Sequence, residues 1–291
     1  MRILILGGDG MLGHQLLAHL APRHEVRVTL RQPLERYASF GLFHAGNAYG
    51  GIDLRTTDSL RPVLAGFAPE AVINAAGIMK RRPDAEEPIP NLEINALLPH
   101  RLALLCVPIG ARLIHVSTDC VFSGRKGNYT ETDVPDEADL HGRTKALGEV
   151  RAPNCVTLRT SFIGRELARK TALLEWFLAQ TGSIRGFRKA IFSGFTTIEM
   201  GRIIALLLAR FPAAGGLYHV SSAPISKFDL LGLVKQRLGL RIEIAPDDDF
   251  VCDRSLDSSR FRSEFGYRPP DWPTMVEELA RQITGERARG A

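Results

Sequence analysis

Cysteine is scarce in this 291-residue chain, and the four cysteines lie far apart. Cys106, Cys120, Cys155 and Cys252 include no C-x-x-C pair, which argues against a zinc site and against a disulfide framework. We therefore expect no bound metal and a reducing, cytoplasmic environment. No run approaches about 18 consecutive apolar residues. The apolar segment Arg2–Leu6 is too short for a signal peptide, so we expect no membrane association.

The chain also lacks a strong charge of one sign. Its formal net charge is +5, and the only tight basic cluster is Lys80, Arg81 and Arg82. A partner that carries a few phosphates, such as a nucleotide, accounts for this excess as well as a polynucleotide would. We therefore expect no nucleic-acid partner. The contents of 45% hydrophobic and 24% charged residues are ordinary for a globular protein, and no repeat is visible.

The first thirteen residues read as strand, glycine turn and helix. Arg2–Leu6 is a short apolar run, typical of a strand that is buried on both faces. Glycines follow at 7, 10 and 13, and leucines then recur at helical spacing. The G-x-x-G-x-x-G spacing differs from the commonest dinucleotide fingerprint, and such glycines also occur in plain turns. Between a buried strand and a helix, however, they predict a pyrophosphate site at the helix N-terminus.

Arg31 follows the second predicted strand, residues 25–30. In a dinucleotide-binding fold this position faces the adenosine ribose, where an acidic residue suits NAD and an arginine suits the 2′-phosphate of NADP. No acidic residue competes for the place, so the sequence favours NADP(H), with NAD(H) as the alternative. A solvated loop arginine is the other interpretation of Arg31.

The remaining pattern predicts an α/β fold with a Rossmann-type doubly wound parallel sheet. Further buried strands are predicted at 71–73, 113–116, 156–158 and 216–220, and a loop at 37–51. We expect a dinucleotide-binding domain over residues 1–160, completed by the strand near 216–220. Residues 161–291 then form a smaller mixed α/β substrate-binding region, partly interleaved with the first. Three predicted helix starts have capping residues, namely Thr196 with Glu199, Ser226 with Asp229, and Thr274 with Glu277.

The chemistry is expected at the carboxyl edge of this sheet. Thr118 and Asp119 end one strand, beside the glycine turn and residues 74–77, and Lys145 lies on the next helix. A hydroxyl and a lysine beside a nicotinamide can polarise a carbonyl and lower the pKa of a proton donor. The plain alternative is that Thr118 caps a loop and Lys145 faces solvent.

Several motifs occur in one order along nearly the whole chain. They are residues 7–13, 53–54, 74–77, 95, 117–124, 127–131, 142–149, 158–161 and 216–220. In this order they resemble the extended short-chain dehydrogenase/reductases, and within them the dTDP-4-dehydrorhamnose reductase branch. The resemblance implies an NAD(P)H-dependent reductase of a nucleotide-linked keto-deoxy sugar, in deoxysugar or surface-polysaccharide biosynthesis. It also implies a nucleotide-diphosphate sugar as substrate and allows for a homodimer.

The resemblance implies roles for individual residues. The implied cofactor site consists of Gly7, Asp9, Gly10, Met11, Leu12, Gly13, Asp53, Leu54, Asn74, Ala75, Ala76, Gly77, Asn95 and Lys145, together with Arg31. Thr118 would bond the reacting carbonyl, and Lys145 would hold the nicotinamide ribose. Asp119, Phe162 and Arg254 are the implied substrate residues. The Arg254 guanidinium is suited to grip a diphosphate.

The chain departs from the family pattern at the catalytic tyrosine, whose place four residues before Lys145 is taken by His141. Cys120 and Phe162 also stand where the family tends to have tyrosine and tryptophan. A histidine can donate a proton, but the charge of Lys145 would lower its pKa. Three interpretations follow: a reductase that uses His141, a relayed water or Tyr129; an impaired reductase or an epimerase of the same fold; or a non-catalytic NADP-binding regulatory subunit. The last is included because the regulatory subunit of methionine adenosyltransferase resembles the same branch.

Overall fold

The computed structural model describes residues 1–80, 85–168 and 170–290, the last four of these without their side chains. Arg81 and Arg82 of the basic cluster therefore lie outside the described residues. The strands are β1 Arg2–Leu6, β2 Glu25–Thr29, β3 Ala48–Tyr49, β4 Ala71–Asn74, β5 Arg112–Thr118, β6 Cys155–Thr160, β7 Phe162–Ile163, β8 Ser183–Phe187, β9 Ala190–Phe192, β10 Phe195–Thr196, β11 Gly216–His219, β12 Ile225–Ser226, β13 Glu243–Asp247 and β14 Cys252–Asp253.

The α-helices are α1 Met11–Leu20, α2 Leu60–Phe67, α3 Pro88–Asn91, α4 Leu98–Cys106, α5 Leu140–Leu147, α6 Leu173–Leu178, α7 Thr197–Arg210, α8 Lys227–Leu238, α9 Ser259–Phe265 and α10 Trp272–Gly290. Short 3-10 helices occur at Leu34–Phe40, Val107–Ile109 and Asp119–Val121, and a π-helix at Leu92–Leu97 joins α3 to α4.

A seven-stranded parallel sheet organises the molecule. Its order is β11-β6-β5-β4-β1-β2-β3, as predicted for a Rossmann-type fold. The central strands are apolar on both faces because helices cover both sides. Alternate residues of β1 enter different cores: Ile3 and Ile5 pack towards α1 and α7, whereas Leu4 and Leu6 pack towards α2 and α4. The carboxyl ends of β1, β4, β5 and β6 thus meet at one edge.

The predicted loop at 37–51 is partly wrong. It contains most of a 3-10 helix, Leu34–Phe40, and the edge strand β3. The strand consists of two residues, and Val28 of β2 lies opposite Ala48 in the pairing. A strand this short has no detectable alternation of its own, so its pairing with β2 defines it and local sequence cannot reveal it.

Two predicted helix caps are confirmed and one is wrong. The Thr196 and Ser226 side chains accept hydrogen bonds from the backbone N–H groups of Glu199 (3.3 Å) and Asp229 (2.9 Å). The last helix begins at Trp272 instead, and the Asp271 carboxylate accepts from the Thr274 N–H at 2.9 Å. Aspartate is a stronger N-cap than threonine, and it stands at the correct spacing here.

The continuous helical stretch Pro88–Ile109 is long and apolar enough, by length and composition, to cross a membrane. Its mean hydropathy is 1.3, and 39% of the apolar window is buried. Core helices of soluble proteins meet the same criterion, and Leu98, Leu102 and Cys106 of this stretch belong to the core. The absence of membrane association therefore stays a prediction from the sequence.

Candidate functional site

A cavity of about 820 Å³ follows the carboxyl edge of the sheet. Most of the residues predicted from the sequence line it: Gly7, Asp9, Gly10, Met11, Leu12, Arg31, Asp53, Leu54, Ala75, Ala76, Gly77, Thr118, Asp119, His141, Lys145, Phe162 and Arg254. Gly13, Asn74 and Asn95 lie outside this lining. One continuous space therefore joins the glycine turn, the strand ends and the C-terminal region.

The glycine turn has the shape that a pyrophosphate requires. Gly7 has φ of 79°, and a Cβ there would lie 3.0 Å from the Ala76 Cα. A Cβ on Gly13 would lie 2.0 Å from the Gly7 carbonyl oxygen, so this glycine lets α1 pack against the turn. Gly10 precedes α1 without a side-chain cap, which leaves the first N–H groups of the helix for a ligand. The turn thus fits the phosphates of a dinucleotide.

The end of the cavity that the sequence predicts to receive adenosine carries Arg31, Arg55 and Asp53. Asp53 and Arg55 form a bidentate pair, with an Nη2–Oδ2 distance of 2.5 Å, and the hydrogen bond from Arg55 lowers the pKa of the Asp53 carboxyl. Within the described part of the chain, Arg31 has neither a hydrogen bond nor an ion pair. Arg31 is therefore the cation at this end that remains available to a ligand. Asp9 lies nearby and accepts a hydrogen bond from the Tyr37 hydroxyl at 3.2 Å.

Asn74 and Asn95, which the resemblance assigned to the cofactor site, are fully buried behind the cavity wall. The Asn74 Oδ1 atom accepts from the Ala76 N–H at 3.2 Å. The Asn95 side chain accepts from the Ile78 N–H at 2.9 Å and donates to the Ile78 carbonyl at 3.1 Å. Both residues therefore fix the loop after β4, and the wider turn of a π-helix carries Asn95.

Lys145 lies at the end of the cavity that the sequence predicts to be catalytic, and its Nζ donates to the Val116 carbonyl at 2.9 Å. Burial lowers the pKa of the Lys145 ammonium to about 8, and the negative charge of Glu149 opposes this shift. The lysine stands on α5, whose N-cap Asp139 accepts from the Gly142 N–H at 2.7 Å. One turn further along, Glu149 is held by Arg159 with an Nη2–Oε2 distance of 2.7 Å.

His141 is held as a neutral imidazole. Its Nδ1 lies 2.8 Å from the Ile78 carbonyl oxygen, and because a carbonyl only accepts, Nδ1 carries the hydrogen. Burial, and then the Lys145 charge, lower the pKa of His141 to about 4. Near neutral pH the Nε2 atom therefore has a lone pair. The geometry favours an acceptor at this position over the imidazolium donor that the sequence suggested.

Thr118 and Asp119 stand together where β5 ends. The Thr118 hydroxyl accepts from the Cys120 N–H at 3.1 Å and donates to Asp119 Oδ1 at 3.2 Å. Asp119 is only 6% exposed, and burial raises the pKa of its carboxyl, against the charge of Arg254. The pair combines a hydroxyl with a buried carboxyl at the end of the cavity that also holds Lys145.

Arg254 reaches the cavity, but its guanidinium is already bonded. Its Nε donates to the Phe122 carbonyl at 2.7 Å, and Nη2 pairs with Glu137 at 2.5 Å. Lys227, which the sequence analysis missed, also lines the cavity, and its ammonium forms no ion pair or hydrogen bond with any described residue. It occupies the first position of α8, directly after the predicted cap Ser226. That cap was the available signal, but it gave no indication of a cavity.

A smaller cavity of about 330 Å³ shares Leu173 and Lys227 with the main one. Its other lining residues include Trp176 and Phe187. An aromatic wall beside an unpaired lysine is suited to a planar base attached to phosphates.

Tyr129 does not line either cavity. It is 2% exposed and stacks on Phe122 with ring centroids 4.0 Å apart. Its hydroxyl accepts from the N–H groups of Gly124 and Lys126, at 3.2 and 3.1 Å. Tyr129 therefore holds the loop after β5, and it is not placed to reach a ligand in the cavity.

The chain is similar to known proteins over nearly its whole length. The family model described as RmlD substrate binding domain matches residues 1–284. A dTDP-4-dehydrorhamnose reductase of Aggregatibacter actinomycetemcomitans is 23% identical over 303 residues, which cover 96% of this chain and 98% of that protein. The beta subunit of methionine adenosyltransferase 2 of Rattus norvegicus is 29% identical over 150 residues, 51% of this chain and 41% of the subunit.

The fold has a counterpart among solved structures. A dTDP-4-dehydrorhamnose reductase from Bacillus anthracis str. Ames, determined in complex with NADP, superposes with a TM-score of 0.80 at 20% identity. The superposition covers 97% of this chain and 99% of that one. At this level of identity the similarity shows a shared fold.

Proposed function

Since the chain belongs to the RmlD substrate-binding-domain family, we propose that it is an NADPH-dependent reductase of a nucleotide-linked keto-deoxy sugar. The observation that carries the proposal is one cavity that contains three features. They are the N-terminus of α1, which has no side-chain cap, the residues Thr118 and Lys145, and the unpaired ammonium of Lys227. The full-length similarity to dTDP-4-dehydrorhamnose reductases supports dTDP-4-dehydrorhamnose as the first substrate to try.

The test is NADPH oxidation, followed by absorbance, against a panel of nucleotide-linked 4-keto-6-deoxy sugars. We expect turnover of at least one member and none with the free sugars, because Lys227 and the smaller cavity have no ligand without the nucleotide. Absence of oxidation across the whole panel would reject the reductase.

In this proposal each residue has a stated task. When bound, NADPH supplies a hydride to the sugar carbonyl. The Thr118 hydroxyl bonds the carbonyl oxygen, and Lys145 binds the nicotinamide ribose while its charge favours the developing alkoxide. The unprotonated Nε2 of His141 accepts a hydrogen bond from a sugar hydroxyl. Phe162 packs against the sugar ring.

Replacing Arg31 by alanine is expected to weaken NADPH binding about 10- to 100-fold, because a charge-assisted contact with the 2′-phosphate is lost. NADH lacks this phosphate, so its affinity should stay the same. Fluorescence titration with both cofactors gives the comparison. Arg36→Ala is the matched control, since Arg36 is an exposed arginine that does not line the cavity. If wild type and Arg31→Ala preferred NADPH over NADH to the same degree, Arg31 would not be the residue that binds the 2′-phosphate.

Replacing Lys227 by alanine is expected to raise KM for the nucleotide sugar about 10-fold or more. The reason is that the diphosphate loses the ammonium that holds it. Lys235→Ala, two turns further along α8 and outside the cavity lining, is the control. If Arg254→Ala raised KM and Lys227→Ala did not, Arg254 would be the residue that binds the diphosphate, as the sequence suggested.

A non-catalytic NADPH-binding subunit is the second candidate. The similarity to the methionine adenosyltransferase beta subunit favours it, as does the neutral His141 in place of a tyrosine. Tight NADPH binding, together with no oxidation of any panel member by wild type or by His141→Tyr, would select this candidate.

A homodimer is proposed through the outer face of α5, α4 and the π-helix Leu92–Leu97 that precedes α4. Leu97, Leu104 and Leu147 are 45%, 75% and 63% exposed there, and the Leu147 carbonyl lies 2.8 Å from His100 Nε2, which joins the two helices. Three exposed leucines on neighbouring helices support an association surface here. Leu104→Glu should shift sedimentation towards the monomer, whereas Val134→Glu, at an exposed loop residue, should not. A monomeric wild type would overturn the proposal.

A further inference from the structure

A ketone that accepts a hydride must also take up a proton at its oxygen. The tyrosine that would supply this proton is absent, and His141 carries its only ring hydrogen on Nδ1, where the Ile78 carbonyl accepts it. Lys145 is engaged by the Val116 carbonyl and, in the proposed function, by the nicotinamide ribose, and Tyr129 lies outside the cavity. Another group that lines the cavity must therefore supply the proton.

The hydrogen bonds of Thr118 point to such a proton source. Its hydroxyl has a single hydrogen, and when that hydrogen points to Asp119 Oδ1 none is left for a substrate. The Cys120 N–H occupies the acceptor side of the same oxygen. Thr118 can donate to a carbonyl and still keep its bond to Asp119 only if that bond reverses, which requires that the Asp119 carboxyl carries a proton.

The surroundings of Asp119 favour that protonated form. The residue is 6% exposed and forms no ion pair within the described part of the chain. A buried carboxylate without a paired cation tends to take up a proton. The groups that act on it electrostatically are Arg254 from the C-terminal region and Lys227 from α8, with hydrogen bonds from Thr118 and Cys120. Arg254 is itself bonded to Glu137 and the Phe122 carbonyl, which reduces its influence.

We propose that Asp119 is the proton donor of this reductase and that Thr118 relays the proton to the substrate. The inference rests on the proposed reductase function. The carbonyl carbon accepts the hydride from NADPH, and the carbonyl oxygen forms a bond to the Thr118 hydroxyl hydrogen. The Thr118 oxygen takes the hydrogen of the Asp119 carboxyl. The products are the alcohol, NADP⁺ and the Asp119 carboxylate, which regains a proton from water after the product leaves.

The first arm of the test is Asp119→Asn. An amide keeps an acceptor for Thr118 and the same size, but it is not an acid. We expect kcat to fall about 10²- to 10⁴-fold, the usual range for a lost general acid, with NADPH affinity unchanged. In an His141→Tyr background the same substitution should cost less than about 10-fold, because the tyrosine then supplies the proton. An equal loss in both backgrounds would show a structural role and overturn the proposal.

The second arm does not depend on turnover. Infrared difference spectra between wild type and Asp119→Asn, at neutral pH with NADPH bound, should contain the C=O band of a protonated carboxyl. Absence of this band overturns the donor assignment whatever the activity. A band in a protein that oxidises NADPH with no panel sugar supports the protonated Asp119 and rejects only the reductase, so the two failures are distinguishable.

Discussion

Replacing Arg159 by methionine is expected to lower the free energy of unfolding by about 3–5 kcal/mol, the cost of breaking a buried ion pair. Arg159 is 1% exposed and grips both carboxylate oxygens of Glu149, each at 2.7 Å. Without the guanidinium the Glu149 charge stays buried and unpaired. Urea unfolding monitored by circular dichroism gives the measurement.

Two comparisons isolate the cause. The double variant Arg159→Met, Glu149→Leu lacks both charges. Its free energy of unfolding should therefore be higher than that of Arg159→Met alone. Arg281→Met removes an exposed pair with Glu277 and should cost less than about 1 kcal/mol. A double variant as unstable as the sum of its two single variants would show that packing, and not the unpaired charge, accounts for the loss.

Replacing His141 by tyrosine is expected to raise kcat about 10- to 100-fold and to extend activity to higher pH. The substitution restores the donor that the family uses, beside a Lys145 whose pKa of about 8 keeps its positive charge near neutrality. A phenol stays protonated well above neutral pH, whereas a carboxyl donor loses its proton as the pH rises. The falling limb of the pH profile of kcat should therefore move upward in the variant.

The pH profile of kcat for the wild type tests the role of His141 separately. With a pKa of about 4, its imidazole does not titrate between pH 6 and 8, so no limb in that range belongs to it. His141→Phe is the control for His141→Tyr, because it has the ring without the hydroxyl and should not raise kcat. A wild-type limb that disappears in His141→Phe and persists in Asp119→Asn would return the donor role to His141.

The glycine-turn end of the cavity was predictable because its signal is local. Gly7 and Gly10 are required by a turn and a helix N-terminus within seven residues of a strand, and short-range pattern is enough to find them. The strand ends at Ala75 and Thr118 followed from the rule that parallel strands place their carboxyl ends at one edge. The family resemblance added His141 as a departure.

The remaining features depend on contacts between distant residues. The partner that occupies Arg254 is Glu137, more than a hundred positions away, and Lys227 reaches the cavity only because α8 lies across it. The same applies to His141, whose tautomer is fixed by a carbonyl 63 residues earlier. A sequence pattern identifies which side chains are capable of chemistry, but it does not show which of them are already engaged.

The two sides of the helical stretch Pro88–Ile109 contact different parts of the molecule. Its outer side exposes Leu104, and its inner side holds Ile78 through Asn95, while Ile78 in turn holds His141. The proposed association surface and the part of the cavity that contains His141 therefore share one wall, about one helix diameter thick. Substitutions on the outer side have to be judged by both association and turnover, because a displaced helix would alter the position of His141 even where the association state is unchanged.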